Sequence, residues 1–408
     1  MTTTRHVLVT DAGRGSALAF IRALGRRGWR VTAADADPAS PGFRSRYVTG
    51  RLVHARPTDD ADAVVEAIHR VVRTDAVDLV IPITDDVGLP LAAARDRFDG
   101  LTVLALPDPG ALEATHDKAA TFELAERLGV PVPPTRLLTG PGDAMIAAAT
   151  LGFPLVIKPG VSRTVRADGT ISKHMVTYAG DASELARRLA ELDPDTPVLL
   201  QRWVPGKAIG VEVLADRGRP LAAFAHRRRR EVPVTGGASS LRESVRLDPA
   251  LFDHAVRLLG GLRWTGLAMV EFRVGPDGVG YLMEINGRVW GSLPLAVRAG
   301  MDFPGRLADL LMDGPPPEGT LPVTDYRIGV RARNLRLDLA WIRAVLVARR
   351  PYPYLPWPPR RAALGALASL LDPRIKDDLL TRSDPGPGLA QLVPIVRDAL
   401  GGRRSADD

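Results

Sequence analysis

Two hydrophobic periods take turns along the first hundred residues. A short apolar run at 6–10 (HVLVT) passes through a polar, glycine-containing turn into SALAFIRALGRRG, whose apolar positions recur every three to four residues. A second apolar run, WRVTAADAD, follows. The pattern predicts strand, helix, strand. It continues through ADAVVEAIHRVVRTDAV, DLVIPITDD, VGLPLAAARDRF and LTVLALP to about residue 107. Strands alternating with helices predict an open parallel sheet.

Beyond Pro109 the order changes. A helix is predicted over EATHDKAATFELAERLG, then the proline-rich connector VPVPPT and the strand FPLVIKP. The polar, turn-rich stretch between Pro159 and Val176 suits a mobile hairpin. A helix (DASELARRLAEL) and the strand VLLQRWV come next, followed by IGVEVLAD, RPLAAFAHRRR, a helix around PALFDHAVRLLGGL, and the strands GLAMVEFRV and VGYLMEIN. GPPPEG at 314–319 reads as a linker, with a separate tail beyond it. The expected divisions are 1–110, 111–197, 198–315 and 316–408.

The last two strands carry the most chemistry. With Asp277-Gly278 as the centre of a two-residue turn, paired positions sum to 555, so Glu271 faces Glu284. Val270 then faces Ile285, Phe272 faces Met283 and Val274 faces Tyr281, which keeps the opposite face apolar. Like charges directly opposed on a strand pair are destabilising, so something must compensate them. Asn286 lies on the acidic face and Arg288 follows at the strand end. Two carboxylates and an amide oxygen can hold Mg²⁺ and leave positions for phosphate oxygens and water.

Composition sharpens this picture. The chain has no cysteine, which excludes disulfides, a thiolate nucleophile and Cys-ligated metal, and leaves hard cations on oxygen ligands. Neither a leader pattern nor a spanning apolar run is present, so a cytoplasmic protein is expected. Only Lys118, Lys158, Lys173, Lys207 and Lys376 among the 54 basic residues are lysine. A compact ammonium can reach a phosphate oxygen where a guanidinium is too broad. Residues 327–361 hold nine arginines against one acid, Asp338, a surplus of +8 that is as large as the whole chain's net charge of +7. That segment is read as a solvated face, with no nucleic-acid partner expected. Its prolines at 351, 353, 356, 358 and 359 preclude a continuous amphipathic helix. A cap on the core is therefore preferred over membrane contact. Gly13-x-Gly15 with Asp35 and Asp37 gives part of a dinucleotide fingerprint, but its third glycine falls at Leu18.

Glu271 in MVEF, Glu284-x-Asn286 in MEINGR, Lys158 in LVIKP and Lys118 upstream together resemble the ATP-grasp superfamily over about residues 5–313. The patterns HRRxREVPxxGG (226–237) and EINxRxWGS (284–292) look most like bacterial carbamoyl-phosphate-synthase-like members of unassigned substrate. The resemblance implies an α/β and α+β fold: a Rossmann-like pre-domain, a two-lobed nucleotide-binding fold and a small basic C-terminal extension. It implies a ligase that uses ATP and Mg²⁺ or Mn²⁺ to activate a small carboxylate as an acyl phosphate for attack, most simply by an amine. Lys118 and Lys158 would contact phosphates. Gln201, Trp203 and Val204 would match the hinge against the base. Glu271, Glu284 and Asn286 would hold the metal, and Arg288 would stabilise the transferring phosphate.

Two departures stand against the family pattern. The hinge offers Gln201 or Arg202 and then Lys207 where acids are usual. The phosphate loop is glycine-poor, with Gly160 and Gly169 flanking SRTVRA, so that Arg163, Arg166 or Lys173 would supply part of the grip. On the strand 226–230, either Arg228 and Arg230 or Arg227 and Arg229 face inward, and with Thr235–Ser240 they suit an anionic acceptor. The rival functions are an NAD(P)-dependent oxidoreductase through Gly13 and Gly15, and a non-catalytic ATP-binding protein.

Overall fold

The apolar runs of the first hundred residues form a parallel sheet with the order β3-β2-β1-β4-β5. The strands are β1 (His6–Val9), β2 (Arg30–Asp35), β3 (Gly50–Val53), β4 (Leu79–Ile81) and β5 (Val103–Leu104). Both faces are covered, so alternate residues feed two cores. Val7, Val9 and Ile81 pack with Leu18 and Ile21 of the helix Gly15–Arg26. Leu8 and Val80 pack with Val64 and Ile68 of the helix Ala61–Asp75. The strand order reverses between β1 and β4, which opens a crevice at the carboxyl ends of the strands. The computed structural model describes residues 4–138, 143–160, 163–165, 171–173, 175–192 and 197–395, with the backbone alone at 163–165 and 171–173.

The helix expected across 113–129 is two helices, Pro109–His116 and Lys118–Arg127. Asp117 breaks it because its carboxylate accepts from the N–H groups of Ala119 and Ala120 at 2.8 and 3.1 Å, which caps the second helix. The next lobe contains β6 (Thr135–Leu138), β7 (Leu155–Pro159), β8 (Arg163–Val165), β9 (Ile171–Lys173), β10 (Thr177–Ala179) and β11 (Val198–Arg202). Four of these make an antiparallel sheet in the order β10-β7-β11-β6, while β8 and β9 pair with each other as a hairpin.

A seven-stranded sheet, β16-β15-β12-β13-β14-β17-β18, forms the second lobe. Its strands are β12 (Lys207–Asp216), β13 (Arg219–Val232), β14 (Ala238–Ser244), β15 (Gly266–Val274), β16 (Gly280–Asn286), β17 (Arg331–Arg333) and β18 (Ile375–Asp377). One face buries Val211, Val270, Phe272 and Ile285 against Leu251 and Leu258 of the helix Pro249–Gly261. The other face places Leu214, Phe224 and Met269 in the core shared with the N-terminal domain.

The segment after the GPPPEG linker is not a separate tail. Its β17 and β18 extend the large sheet. Its helices Leu335–Val347 and Arg360–Ser369 pack on each other through Trp341, Val345, Ala363 and Ala366. Tyr352 and Leu355 are buried against Val156 and Tyr178 of the first lobe. The expected cap on the core is thus formed, but local hydrophobic pattern does not show how it is fixed, because the contacts are ion pairs to residues far away in the chain. Arg230 reaches the fully buried Asp338 at 2.7 Å. Arg22 reaches Asp384 at 2.8 Å.

Candidate active site

The acidic pair lies where the pairing arithmetic placed it: Glu271 is directly opposite Glu284 on β15 and β16. The path to that register differs from the expected one. Gly275 pairs across the turn with Val279, and Gly278 sits at φ +79°, so the turn has three residues rather than two. Pairs near the turn then sum to 554: Val274 faces Gly280, Arg273 faces Tyr281 and Phe272 faces Leu282. The expected pairs Phe272–Met283 and Val274–Tyr281 are not formed. A bulge at Met283 adds one residue to β16 and restores 555 from Glu271 onward.

The opposed charges are compensated by neighbours on the same sheet face. The Asn286 side-chain amide donates to Glu271 Oε1 at 3.1 Å and to Glu284 Oε1 at 3.0 Å. Arg228 on β13 donates to the same Glu271 oxygen, and to the Gly237 carbonyl at 3.0 Å. Glu271 pairs with Gly210 of β12, which in turn pairs with His226 of β13. The missing side chain at Gly210 leaves room for the His226 ring, and Arg228, two residues beyond His226, reaches across the middle strand to Glu271. Of the two arginine sets considered, it is Arg228 and Arg230 that bond inward, while Arg227 and Arg229 pair with Glu243.

The two lysines arrive from the other lobe. Lys158, near the end of β7, is buried with its ammonium 3.5 Å from the Met283 carbonyl and 5.3 Å from the Phe122 ring centre. Lys118 opens the helix after the Asp117 cap, and its ammonium donates to the Pro159 carbonyl at 3.2 Å. Burial pushes Lys158 down to about 8, against the opposing pull of Glu284. Burial also lowers Lys118. Glu271 is raised to about 7, chiefly by burial, with Arg228 opposing and Glu284 adding to the rise. For Glu284, burial is outweighed by the Asn286 hydrogen bond and by the charges of Arg228, Lys118 and Lys158, and its pKa falls. The two facing carboxyls are therefore electrostatically unequal.

Arg288 is held beside this cluster. Its Nε donates to Asp85 at 2.7 Å, and the charges of Glu284 and Glu271 also act on it. Asp85 starts the helix Asp85–Ala93 at the crevice of the parallel sheet. Asp85, Arg288 and His116 line a cavity of about 40 Å³ between that sheet and the second lobe, closed on its apolar side by Leu106, Leu267 and Leu307. That volume admits a few waters or one small polar group.

The predicted hinge residues stand apart from the acidic cluster. Gln201 is buried on β11, where its amide donates to the Thr135 hydroxyl at 2.8 Å. Trp203 packs in the aromatic cluster of Tyr178, Tyr352 and Tyr354, and Val204 is half-buried in the link to β12. The side chains of Arg163, Arg166 and Lys173 lie outside the described residues. Sequence reasoning left Asp85 unassigned, and nothing local singles it out among 47 acids. Arg228 was flagged only as one of an alternating set. Its signal is positional: one diagonal step from a strand pair that lacks a side chain.

The N-terminal glycine turn serves packing. The Gly13 N–H donates to Asp35 Oδ2 at 2.8 Å, and the Ser40 hydroxyl donates to the same oxygen at 2.8 Å. The acid that would take a ribose is thus bonded to its own loop. A Cβ on Gly42 would lie 2.0 Å from the Ala12 carbonyl, so the 40–44 segment lies directly on the turn. A Cβ on Gly15 would lie 2.9 Å from the Asp378 side chain. The space a pyrophosphate needs is occupied by protein, part of it carboxylate.

The architecture is a Rossmann-like parallel sheet followed by two lobes built on antiparallel sheets. A family profile described as "ATP-grasp in the biosynthetic pathway with Ter operon" matches residues 195–334, about a third of the chain. The carbamoyl phosphate synthase large chain of Xanthomonas campestris pv. campestris is 27% identical over 222 residues, covering 52% of this chain and 20% of that one. The chain thus spans about a fifth of that relative's length. Biotin carboxylase from Campylobacter jejuni, solved as a β,γ-ATP complex, is similar with a TM-score of 0.62 and 16% identity over 80% of this chain and 74% of that one. N5-carboxyaminoimidazole synthetase from Staphylococcus aureus, solved with ADP, gives a TM-score of 0.59 and 13% identity over 81% of each chain. Over residues 195–334 the chain thus matches an ATP-grasp profile, and its fold is similar to that of these two solved structures.

Proposed function

We propose that this protein binds Mg-ATP between its two lobes, phosphorylates a small carboxylate and couples the acyl phosphate to a nucleophile, most simply an amine. One observation carries the reading: Glu271, Glu284 and Asn286 from one lobe and Lys118 and Lys158 from the other converge on a single point, with Arg228 and Arg288 at its edges. Among the described residues no group of three or more His, Cys, Asp or Glu that could hold a metal is found, so the donor set here rests on two carboxylates and an amide. Two carboxylates and the Asn286 amide oxygen are a hard donor set that fits Mg²⁺ and is too small to saturate it, which suits a metal shared with nucleotide phosphates. When bound, the ion would neutralise negative charge on the phosphates.

The residues of the chain then divide the work. Lys158 and Lys118 carry positive charge to the phosphates from a buried position, where each charge acts more strongly than in water. Arg288, braced by Asp85, faces the cavity where the carboxylate would sit and would hold it for in-line attack on the γ-phosphate. The carboxylate oxygen forms the new P–O bond as the bond to ADP breaks. The amine then displaces phosphate from the acyl carbon and loses one proton. Arg228 fixes Glu271 and positions the Gly237 loop beside the acceptor. Val204 and the hinge backbone would contact the base, and Gln201 would hold the hinge strand through Thr135.

The test is a screen of carboxylates and amines for ADP and phosphate release. Release that requires a particular carboxylate and amine, and Mg²⁺, supports the reading. Nucleotide binding with no turnover on any pair would instead make the protein a non-catalytic binder. Fluorescence quenching by NADH rather than ATP would favour the oxidoreductase, against which the filled glycine turn argues.

A further inference from the structure

The basic segment splits into two groups of arginines. Arg327, Arg331 and Arg333 are used internally, on the Arg298 carbonyl, Asp372 and Asp338 respectively. Apart from Arg336, the others lie in a stretch, residues 339–371, that contains no aspartate or glutamate. It carries Arg343, Arg349, Arg350, Arg360 and Arg361, all exposed. None of these five takes part in a hydrogen bond, ion pair or ring contact with a described residue. The nearest preceding acid, Asp338, is completely buried and cannot screen them.

Four of the five charges gather at one end of a helix pair, and Arg343 stands within the first helix. Arg230 donates through one nitrogen to Asp338 at 2.7 Å and through the other to Ser369 at 2.9 Å. This joins the first turn of the helix Leu335–Val347 to the last turn of Arg360–Ser369. The two helices therefore run antiparallel, and Arg349 and Arg350 lie near Arg360 and Arg361. Along the second helix from them runs an exposed apolar strip. Ala363 and Ala366 face the core, while Leu364, Leu367 and Leu371, spaced by three and four residues, face out at 60%, 41% and 87% exposure. Val347 at the end of the first helix is 76% exposed.

We propose that this helix-pair surface docks the enzyme on an anionic phospholipid bilayer, with the arginines at the headgroups and the leucines inserted between them. Charge complementarity selects this occupant. An acid-free cluster attracts a polyanionic surface, and bare leucines next to it gain only where apolar volume lies behind the charge. A nucleic acid offers the charge without that volume. No described helix is long and apolar enough to cross a membrane, so the contact is interfacial. The aromatic stretch between the helices does not share in it, because Tyr352 and Leu355 are buried on the first lobe.

The experiment is co-sedimentation of the full-length protein with vesicles of phosphatidylcholine alone or doped with phosphatidylglycerol. Two surface variants are compared: Arg349→Gln/Arg350→Gln/Arg360→Gln/Arg361→Gln, and Leu364→Ser/Leu367→Ser/Leu371→Ser. The expected result is pelleting with the doped vesicles only, reversed by salt, with the partition coefficient down about tenfold or more in each variant. Pelleting that is absent, insensitive to salt, or equal with undoped vesicles overturns the proposal, and these readings use the unaltered protein. Full binding by the leucine variant, with displacement by double-stranded DNA, would make the patch a soluble-polyanion site and would also overturn it.

Discussion

The Met283 carbonyl accepts a long hydrogen bond from the Lys158 ammonium, at 3.5 Å, and Met283 is the one residue of β16 with no partner on β15. The bulge thus turns a main-chain oxygen from one lobe towards the buried cation of the other. It gives Lys158 a neutral resting partner beside the carboxylates, and a phosphate can replace that partner without breaking an ion pair.

Lys158, held near 8 by burial, should make ATP affinity depend on pH in a range where most lysines do not titrate. Bound phosphate favours the ammonium, so the complex keeps its proton to higher pH than the free enzyme, and affinity must fall as pH rises through about 8. Calorimetry with Mg-ATP between about pH 7 and pH 9 should show this weakening. Lys158→Ala should bind roughly ten- to a hundredfold more weakly, as expected for loss of a hydrogen bond to a charged group, and without the pH step. Unchanged binding by that variant would remove Lys158 from the phosphate site.

The inequality of Glu271 and Glu284 gives opposite effects for the same substitution. Glu271 titrates near 7 in the folded protein, above its ordinary value of 4.5. Its native state therefore holds the proton more tightly than the unfolded chain, and stability from this group is lost as pH rises from about 4.5 to 7. Glu271→Gln should stabilise the metal-free protein near pH 8 by on the order of 1 kcal/mol, an advantage that disappears below about pH 5. Glu284, whose pKa is lowered, contributes stability above its unfolded value, and Glu284→Gln should destabilise the metal-free protein there. Both variants should lose Mg²⁺-dependent turnover. Denaturant melts of the three proteins at both pH values would expose an error if the two variants moved together.

That acidic pair was legible in the sequence because alternation fixes which face each side chain takes, and Val270, Phe272 and Ile285 leave no choice of face. The register near the turn was not legible. A three-residue turn and a bulge at Met283 shift it by one in opposite senses, and neither changes the hydrophobic pattern. The parallel sheet was readable for the same reason as the pair. The fate of residues 316–408 was not, since Asp338, Asp378 and Asp384 look like any surface acid until Arg230, Arg242 and Arg22 are brought to them. Arg228 falls between these cases: its face was one of two open choices, and its reach to Glu271 is visible only once β12 is known to lie between.

Gly180 fixes how the C-terminal segment sits on the first lobe. A Cβ there would lie 2.4 Å from two ring atoms of Tyr354, whose hydroxyl donates to Glu184 at 2.8 Å. Beside it, Tyr352 packs edge-on against Tyr178 with ring centres 4.9 Å apart. Gly180→Ala should lift the segment and cost about 1–3 kcal/mol, the usual range for overpacking. In a Tyr354→Ala background the same change should cost almost nothing. Equal cost in both backgrounds would mean that the methyl group is resisted by something other than the ring.

Truncation after residue 319 tests how far the C-terminal segment belongs to the enzyme. The motif set ends before that point, so sequence alone predicts that nucleotide binding survives the cut. The structure predicts the opposite, because the cut removes the partners of three buried or nearly buried arginines. Arg242 on β14 loses Asp378, Arg22 on the first helix loses Asp384, and Arg230 loses Asp338. Asp384 also accepts from the Ser45 hydroxyl at 2.8 Å and the Arg46 N–H at 2.9 Å, so its loss loosens the N-terminal domain as well. Removing one partner of a buried ion pair costs about 3–5 kcal/mol, and a whole domain is stable by only about 5–15 kcal/mol. Three such losses, with the edge of β14 left bare where β17 had paired, are comparable with the whole of that margin. The 1–319 fragment should therefore be recovered unfolded or aggregated, by circular dichroism and size exclusion. Alanine at Asp338, Asp378 or Asp384 singly in the full chain should each lower the melting temperature. A folded 1–319 fragment that binds ATP as tightly as the full chain would show that these three pairs fasten an appendage rather than hold the core together.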